Sequence, residues 1–393
     1  MFNKFNLLIW YIMKNGKINN LNLISLSKEN VKNKKIECFK FFSSIILVVF
    51  LFIKFTNSKT SKISFNLSKK SSNQNIIDEI FITNLKNVLD SDEIYEKEMM
   101  NKHTTFRTGG PAKIFVKPKT IEHLVQVIKL CNKSNVFFFV IGNGSNLLVS
   151  DKGYNGVLIQ IREENFSHLK VIKKDDKHYL LQVGGGMLMK TLSIESCLLS
   201  LTGLEDIIDI PGTVGGGIIM NATYRKNGMY DVLLKVKVVT PDGNIMELSK
   251  EECKLVGRGS MLKDKKYTVV EATFKLEKGD QMIIQKEMTE NTKTRYEKQP
   301  MYFGSAGCFF KWNHAKHGSM YLKYKESDLV SYRVGYAMIY TYNIAFIVNL
   351  GQATSSDVMA IVNHIEKIMK YKYHIDIQRE VVVIGSFNDI DYY

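Results

Sequence analysis

Apolar residues follow two alternating rhythms along most of this chain, beginning near Ile76. Between 121 and 135, Leu124, Val127, Ile128 and Cys131 recur three or four apart, which puts them on one face of a helix. Residues 136–141 form an unbroken β-favouring run, the pattern of a buried strand. Shorter runs at 157–161 and 179–183 predict two more strands, and 187–201 returns to helical spacing. Residues 232–239 and 244–248 flank Pro241-Asp242-Gly243, so the pair predicts a hairpin turning on Asp-Gly. A strand is predicted at 267–276, and a polar, charged helix leaving that region at 279–297. Beyond a glycine-rich turn near Gly304 come a helix over 355–373 and a closing strand over 380–384. Ser355-Ser356-Asp357 supplies N-cap chemistry for that helix. There is no internal repeat, and the mixture of elements predicts an α+β protein with a domain over 76–278 and a smaller one over 279–393.

Residues 1–75 are different. They are rich in Lys and Asn, and Glu29 and Glu37 are their only acidic residues. One apolar run, 41–53, lies between Lys40 and Lys54. It is short for a helix crossing about 30 Å of hydrocarbon. A targeting leader or anchor, a membrane-associated helix, or translated upstream sequence would each give this pattern. It is the only segment that suggests membrane association, and 58–75 reads as a polar linker.

The net charge of +15 narrows the partners without fixing them. A lysine-rich coding bias accounts for part of it. Attraction to anions accounts for the rest, and small phosphorylated ligands fit best. No basic helix with interleaved aromatics points to nucleic acid. The five cysteines, Cys38, Cys131, Cys197, Cys253 and Cys308, are scattered and odd in number. Neither a disulfide framework nor a metal site follows, so a reducing compartment, the cytoplasm, is expected for the folded part.

Glycine loops carry the candidate chemistry. The strand at 136–141 runs into Gly142-Asn143-Gly144-Ser145-Asn146. Such glycines let backbone amides approach a phosphate or pyrophosphate, with Ser145 and Asn146 adding donors. The other reading is a tight strand-exit turn. No Gly-Lys-Ser/Thr follows, and Leu147 stands where a dinucleotide fingerprint has its third glycine. A second cluster is Ile210-Pro211-Gly212-Thr213-Val214-Gly215-Gly216-Gly217, soon followed by Asn221-Ala222. It suits a segment lying flat beside a planar ring, its amides facing ring heteroatoms. Gly184-Gly185-Gly186 ends another strand. Three such turns in one domain fit an extended cofactor.

Read in order, these pieces resemble the UDP-N-acetylenolpyruvoylglucosamine reductase family (MurB). His103-Thr104-Thr105-Phe106-Arg107-Thr108-Gly109-Gly110-Pro111-Ala112 is similar to its opening motif, and Gly142 to Leu148 with Asp151 to its G-x-G-S-N-L-L…D loop. Gly203-Leu204-Glu205 and Ile210 to Gly216 resemble G-L-E…I-P-G-T-x-G-G. Arg258-x-Ser260 falls at Y-R-x-S, Ser305-Ala306-Gly307 before Phe310-Lys311 at S-A-G-S-x-F-K, and Glu380 to Gly385 at E-V-x-x-I-G. The likeness covers roughly 101–386. It implies a two-part FAD-binding domain of the vanillyl-alcohol-oxidase (PCMH) type, then a substrate domain of the shorter second type. It also implies a monomer, with NADPH as reductant and a UDP-sugar enolpyruvate as substrate.

By motif position, Arg258 would hold the substrate carboxylate and the enolate charge, Cys308 would deliver the proton, and Glu380 would assist. Gly142, Asn143, Gly144, Ser145, Asn146, Leu147, Ile210, Pro211, Gly212, Thr213, Gly215, Gly216 and Asn221 would bind FAD. The chain departs from the family at five places. Cys308 replaces a serine, Gly257 a tyrosine, Thr223-Tyr224 a Gly-Ala pair, Trp312-Asn313 an Asn-Pro pair, and Asn343 a histidine. A thiol is a stronger acid than a hydroxyl, with pKa near about 8.5, but it must stay protonated at rest. Arg258 would favour the thiolate and Glu380 would oppose it. Other readings are a sugar or alcohol oxidase of the same cofactor fold, tethering flavin through His103, and a non-catalytic flavin or nucleotide binder.

Overall fold

The computed structural model describes residues 77–162, 166–225, 227–311, 329–387 and 390–392. The chain divides into units Met1–Ser72 and Asn73–Tyr393, and the description concerns the second. The apolar run 41–53 and the Trp312-Asn313 pair lie outside the described residues.

The first lobe contains α1 (Glu79–Lys86), β1 (Ile94–Met99), β2 (Pro111–Val116), α2 (Ile121–Lys133), β3 (Phe138–Ile141), β4 (Leu147–Val149) and β5 (Tyr154–Gln160). Its sheet runs β1-β2-β5-β3, with β1 antiparallel and the others parallel. Thr120 caps α2 by accepting from the His123 amide. Leu124, Val127, Ile128 and Cys131 are buried and pack with Ile114, Val157 and Ile159.

The second lobe contains β6 (Leu169–Lys174), β7 (His178–Gly184), α3 (Met189–Leu198), α4 (Val214–Ile219), β8 (Leu233–Val239), β9 (Ile245–Ser249) and β10 (Thr268–Lys278). The sheet is antiparallel, in the order β9-β8-β10-β7-β6. Each element predicted between 121 and 276 has its counterpart in these two lobes. The β8–β9 hairpin closes with the Thr240 amide donating to the Asn244 carbonyl, and Gly243 has φ +79°.

The remaining part contains α5 (Gln281–Lys298), β11 (Arg333–Val334), β12 (Ala337–Ile339), β13 (Ile347–Asn349), α6 (Ser355–Tyr373), β14 (Val382–Phe387) and β15 (Ile390–Tyr392). The predicted polar helix exists, but it packs back along the second lobe. The Asn291 amide donates to the Glu205 carbonyl and Asp206 Oδ1, and Thr292 donates to Asp209. Helix α6 buries Val358, Ile361, Val362 and Ile365 against Ala337, Ile339 and Ile347. The closing strand β14 pairs parallel with β4 and antiparallel with β15, so a strand of the first lobe and the last two strands form one three-stranded sheet.

The cap of α6 is Thr354, not Ser355. Thr354 Oγ1 accepts from the Asp357 amide, and Asp357 Oδ2 accepts from the Thr354 amide. Ser355 is fully buried, and its amide donates to Asp151 Oδ1 at 2.7 Å. Ser356 donates to the other Asp151 oxygen through both its amide and its hydroxyl. A carboxylate at a helix N-terminus, holding orphan amides, is stabilising. Asp151→Ala is expected to lower stability by about 1–2 kcal/mol, read as a shifted urea midpoint. An unchanged midpoint would mean that the bond between lobe and helix contributes nothing. Among the described residues, no helix is long and apolar enough to cross a membrane.

Candidate active site

A cleft of about 2370 Å³ lies along the glycine loops and reaches the C-terminal part. Pockets for drug-sized ligands are about 300–1,000 Å³, so there is room for an extended cofactor and a substrate together. Gly142 to Leu147 lie between β3 and β4 and line it, as do Ile210 to Thr213, Gly215 and Gly216. A methyl group on Gly142 would come within 2.4 Å of Thr213 Oγ1, and one on Gly144 within 2.1 Å of the His103 carbonyl. One on Gly212 would meet Ser145 Oγ at 2.9 Å. Three segments therefore approach closely, at His103 through backbone and at Ser145 and Thr213 through hydroxyls, which leaves a cradle that side chains would fill. The amides of Asn143, Gly144 and Ser145 meet no acceptor among the described residues. That donor set fits the phosphates of a dinucleotide.

The second loop differs from its expected form. The Gly215 amide donates to the Gly185 carbonyl, and the Gly216 amide donates to Thr213 Oγ1. Those two amides hold helix α4 in place and do not face a ring. Gly184, Gly185 and Gly186 do not line the cleft, and a Cβ on each would strike the backbone of Phe166, Val269 or Ile161. They are glycines of close packing. Asn221 is also outside the cleft lining, and its side-chain amide donates to the Gly257 carbonyl at 3.0 Å.

Arg258, Cys308 and Glu380 come together from distant parts of the chain, all lining the cleft. Cys308 follows Gly307, whose φ is +79°. The Glu380 amide donates to the Phe309 carbonyl and the Lys311 amide to the Gln378 carbonyl, so the two segments run side by side. Arg258 Nε stands 3.7 Å from Glu380 Oε1. Burial pushes the Cys308 thiol up to about 11, Glu380 adds to that, and Arg258 and Arg295 oppose it. The thiol is therefore held protonated at neutral pH, despite two nearby guanidiniums. Burial also raises Glu380 above the usual carboxylate range, against Arg258, Lys263 and Lys311.

Arg295 is a cleft residue that motif reading missed. It is 5% exposed, its Nε has no hydrogen-bond partner, and its guanidinium lies 4.9 Å from the centre of the Tyr224 ring. Its buried charge acts on the Asp209 carboxylate and on the Cys308 thiol, holding both toward their ionised forms. Only the spacing could have revealed it. Ile284, Asn291 and Arg295 are the buried residues of α5, seven and four apart, and two of the three are polar. Lys263 also lines the cleft, with burial holding its ammonium below the usual range. Asn343 instead braces the backbone, donating to the Lys298 carbonyl and accepting from the Ala345 amide. Among the described residues, no group of His, Cys, Asp and Glu is placed to hold a metal ion.

The fold and the cleft, with its glycine turns and free amides, are those of a protein built to hold a dinucleotide-sized cofactor. Residues 112–249 match the family described as FAD binding domain, and 299–384 match the UDP-N-acetylenolpyruvoylglucosamine reductase, C-terminal domain. The UDP-N-acetylenolpyruvoylglucosamine reductase of Lachnoclostridium phytofermentans is 34% identical over 307 residues, spanning 78% of this chain and 98% of the relative. That of Alkaliphilus metalliredigens is 36% identical over 299 residues, spanning 76% and 96%. The crystal structure of the reductase from Thermus caldophilus superposes with a TM-score of 0.61 at 31% identity, covering 73% of this chain and 97% of the other. This chain belongs to the UDP-N-acetylenolpyruvoylglucosamine reductase family. An oxidase tethered to flavin through His103 gives way to that reading. The His103 ring hydrogen-bonds to Glu98, lies tilted against the Phe115 ring and does not line the cleft.

Proposed function

We propose that the protein reduces UDP-N-acetylglucosamine enolpyruvate to UDP-N-acetylmuramate with NADPH, a step in making peptidoglycan precursors. The observation that carries this is the meeting of Arg258, Cys308 and Glu380 opposite the glycine cradle in one cleft. All of these groups come from one chain, and we extend the proposal to action as a monomer. Its described cysteines are free thiols, which suits the cytoplasm.

The cradle of Gly142, Gly144 and Gly212 would hold FAD by backbone approach, with the amides of residues 143–145 on its phosphates. Bound FAD supplies hydride transfer, from the nicotinamide to the methylene carbon of the enolpyruvyl group. Hydride on that carbon leaves an electron pair on the neighbouring carbon, delocalised onto the carboxylate. The Arg258 guanidinium holds that carboxylate and stabilises the charge as it grows. Arg295 adds a second positive charge at the cleft wall, felt by the Cys308 thiol. Cys308 then gives its proton to the carbon, which completes the C–H bond, and the thiolate recovers a proton from solvent. Glu380 disfavours the resting thiolate by its charge and keeps the donor loaded.

The test is NADPH oxidation by the FAD-loaded protein with and without the enolpyruvyl sugar nucleotide. Oxidation that depends on that substrate is expected; a rate indifferent to it would leave a flavin binder or an oxidase. In the same assay, Arg258→Ala is expected to lower kcat/KM about 10²–10³-fold, the usual effect of removing a preorganised oxyanion contact. A loss under threefold would take Arg258 out of charge stabilisation.

A further inference from the structure

Arg258 occupies an insecure place for a group with that task. It sits in a tight loop in which the Val256 amide donates to the Gly259 carbonyl. Glycines flank it on both sides. Gly257 has φ +56° with open space where a side chain would be, and a Cβ on Gly259 would meet its first atom only at 3.9 Å. The Arg258 side chain is 41% exposed, and its ion pair with Glu380 is long, at 3.7 Å. Packing therefore does not fix the guanidinium, so the loop's anchors must.

Two side-chain anchors lead to one element. The Asn221 amide donates to the Gly257 carbonyl at 3.0 Å, and the Ser260 hydroxyl donates to the Ile219 carbonyl at 2.7 Å. Ser260 also accepts from the Lys263 amide, which fixes the backbone beyond Arg258. Ile219 is the last residue of α4, and Asn221 follows two residues later with φ +46°. At its other end α4 starts from Thr213, the residue wedged against Gly142 in the cradle. A helix of six residues is about 9 Å long. One short strut thus joins the cofactor loop to the loop that carries Arg258.

We propose that Asn221 and Ser260 are positioning residues, which register Arg258 against the flavin cradle through helix α4. This inference rests on the reading of Arg258 as the carboxylate contact and deepens it. Hydride donor and carboxylate clamp must agree in position to a fraction of an ångström, and misplacement by about 1 Å costs on the order of 10²-fold in rate. Asn221 suits its position for two reasons, since asparagine tolerates a left-handed backbone and carries a donor. Its role is to hold the arginine loop, so it need not touch the flavin.

The test compares the parent with Asn221→Gly, which keeps the left-handed backbone and removes the donor. Ser260→Ala and Ser260→Thr accompany it, the latter restoring a hydroxyl. Calorimetry on the FAD-loaded proteins measures binding of the enolpyruvyl sugar nucleotide and of UDP-N-acetylglucosamine, which lacks the carboxylate. The parent is expected to prefer the enolpyruvyl ligand. Asn221→Gly and Ser260→Ala are expected to lose about tenfold of that preference, with UDP-N-acetylglucosamine affinity and flavin content unchanged. Ser260→Thr should recover it. Flavin reduction by NADPH should keep its rate, while reoxidation by the substrate slows about a hundredfold. If the parent discriminates and the variants discriminate equally, the inference is overturned alone. A parent that binds both ligands alike overturns the role of Arg258 and the inference with it. Equal losses in flavin content and in both ligands would make the two residues merely structural, which also overturns it.

Discussion

Alanine at Cys308 is expected to slow reoxidation of the enzyme by its enolpyruvyl substrate about 10²–10⁴-fold, the range of a lost general acid. Flavin reduction by NADPH should keep its rate, because no proton from Cys308 enters that half. Serine at 308 should restore most of the loss, since a hydroxyl can donate from the same place. The sign of the thiol's shift matters. A surface cysteine beside two arginines would ionise and lose the proton it must give. Here burial outweighs them and holds the thiol near about 11. At pH 8 about one thiol in a thousand would be ionised, against roughly a quarter of free cysteines. Iodoacetamide should therefore alkylate Cys308 about two orders of magnitude more slowly than a free thiol at that pH. Activity should fall as pH rises through about 11, where the donor is lost. Stopped-flow rates decide the matter: an alanine variant that reoxidises as fast as the parent would sink the donor role.

The other large effect is expected at Gly144. Alanine there would place a methyl group 2.1 Å from the His103 carbonyl, on a backbone with φ +61°. The left-handed conformation costs a residue with a Cβ about 1–2 kcal/mol, and overpacking against backbone costs about 1–3 more. The loop can escape only by moving away from 103–105, and that opens the cradle. Gly144→Ala should therefore be purified with little or no flavin and with a urea midpoint lowered by the equivalent of about 2–5 kcal/mol. Visible absorbance gives the flavin content directly. Full flavin with the parent's midpoint would mean that this turn does not form the site.

These features were unequally legible in the sequence. Helix α2 and the β8–β9 hairpin each follow one clean period, and burial obeys it. Strand β1 went unseen because it is mostly exposed, with no apolar alternation to show it. Strand β4 has three residues, and its partner β14 is far along the chain, so no local pattern announces the pairing. The glycine clusters looked alike as letters. Only the structure separates Gly142 and Gly144, which open a cradle, from Gly184 to Gly186, which admit neighbouring backbone. Arg258, Cys308 and Glu380 were readable as motif positions, and their meeting depends on three separated segments. Arg295 was hidden because it lies on the buried face of a polar helix, where hydrophobic periodicity has nothing to report.

The parallel pairing of β4 with β14 also orders events during synthesis. The Asn146 side chain donates to the Glu380 carbonyl across 234 residues of chain, and the Val382 amide donates to the Asn146 carbonyl. A nascent chain that has emerged only through its glycine loops holds the cradle without this brace. The loop waits, unbraced, for a strand made more than two hundred residues later. Contacts this distant in sequence form slowly, because loop closure must come before they stabilise anything. A chain cut short before residue 380 would therefore carry the glycine loops without the brace or the carboxylate.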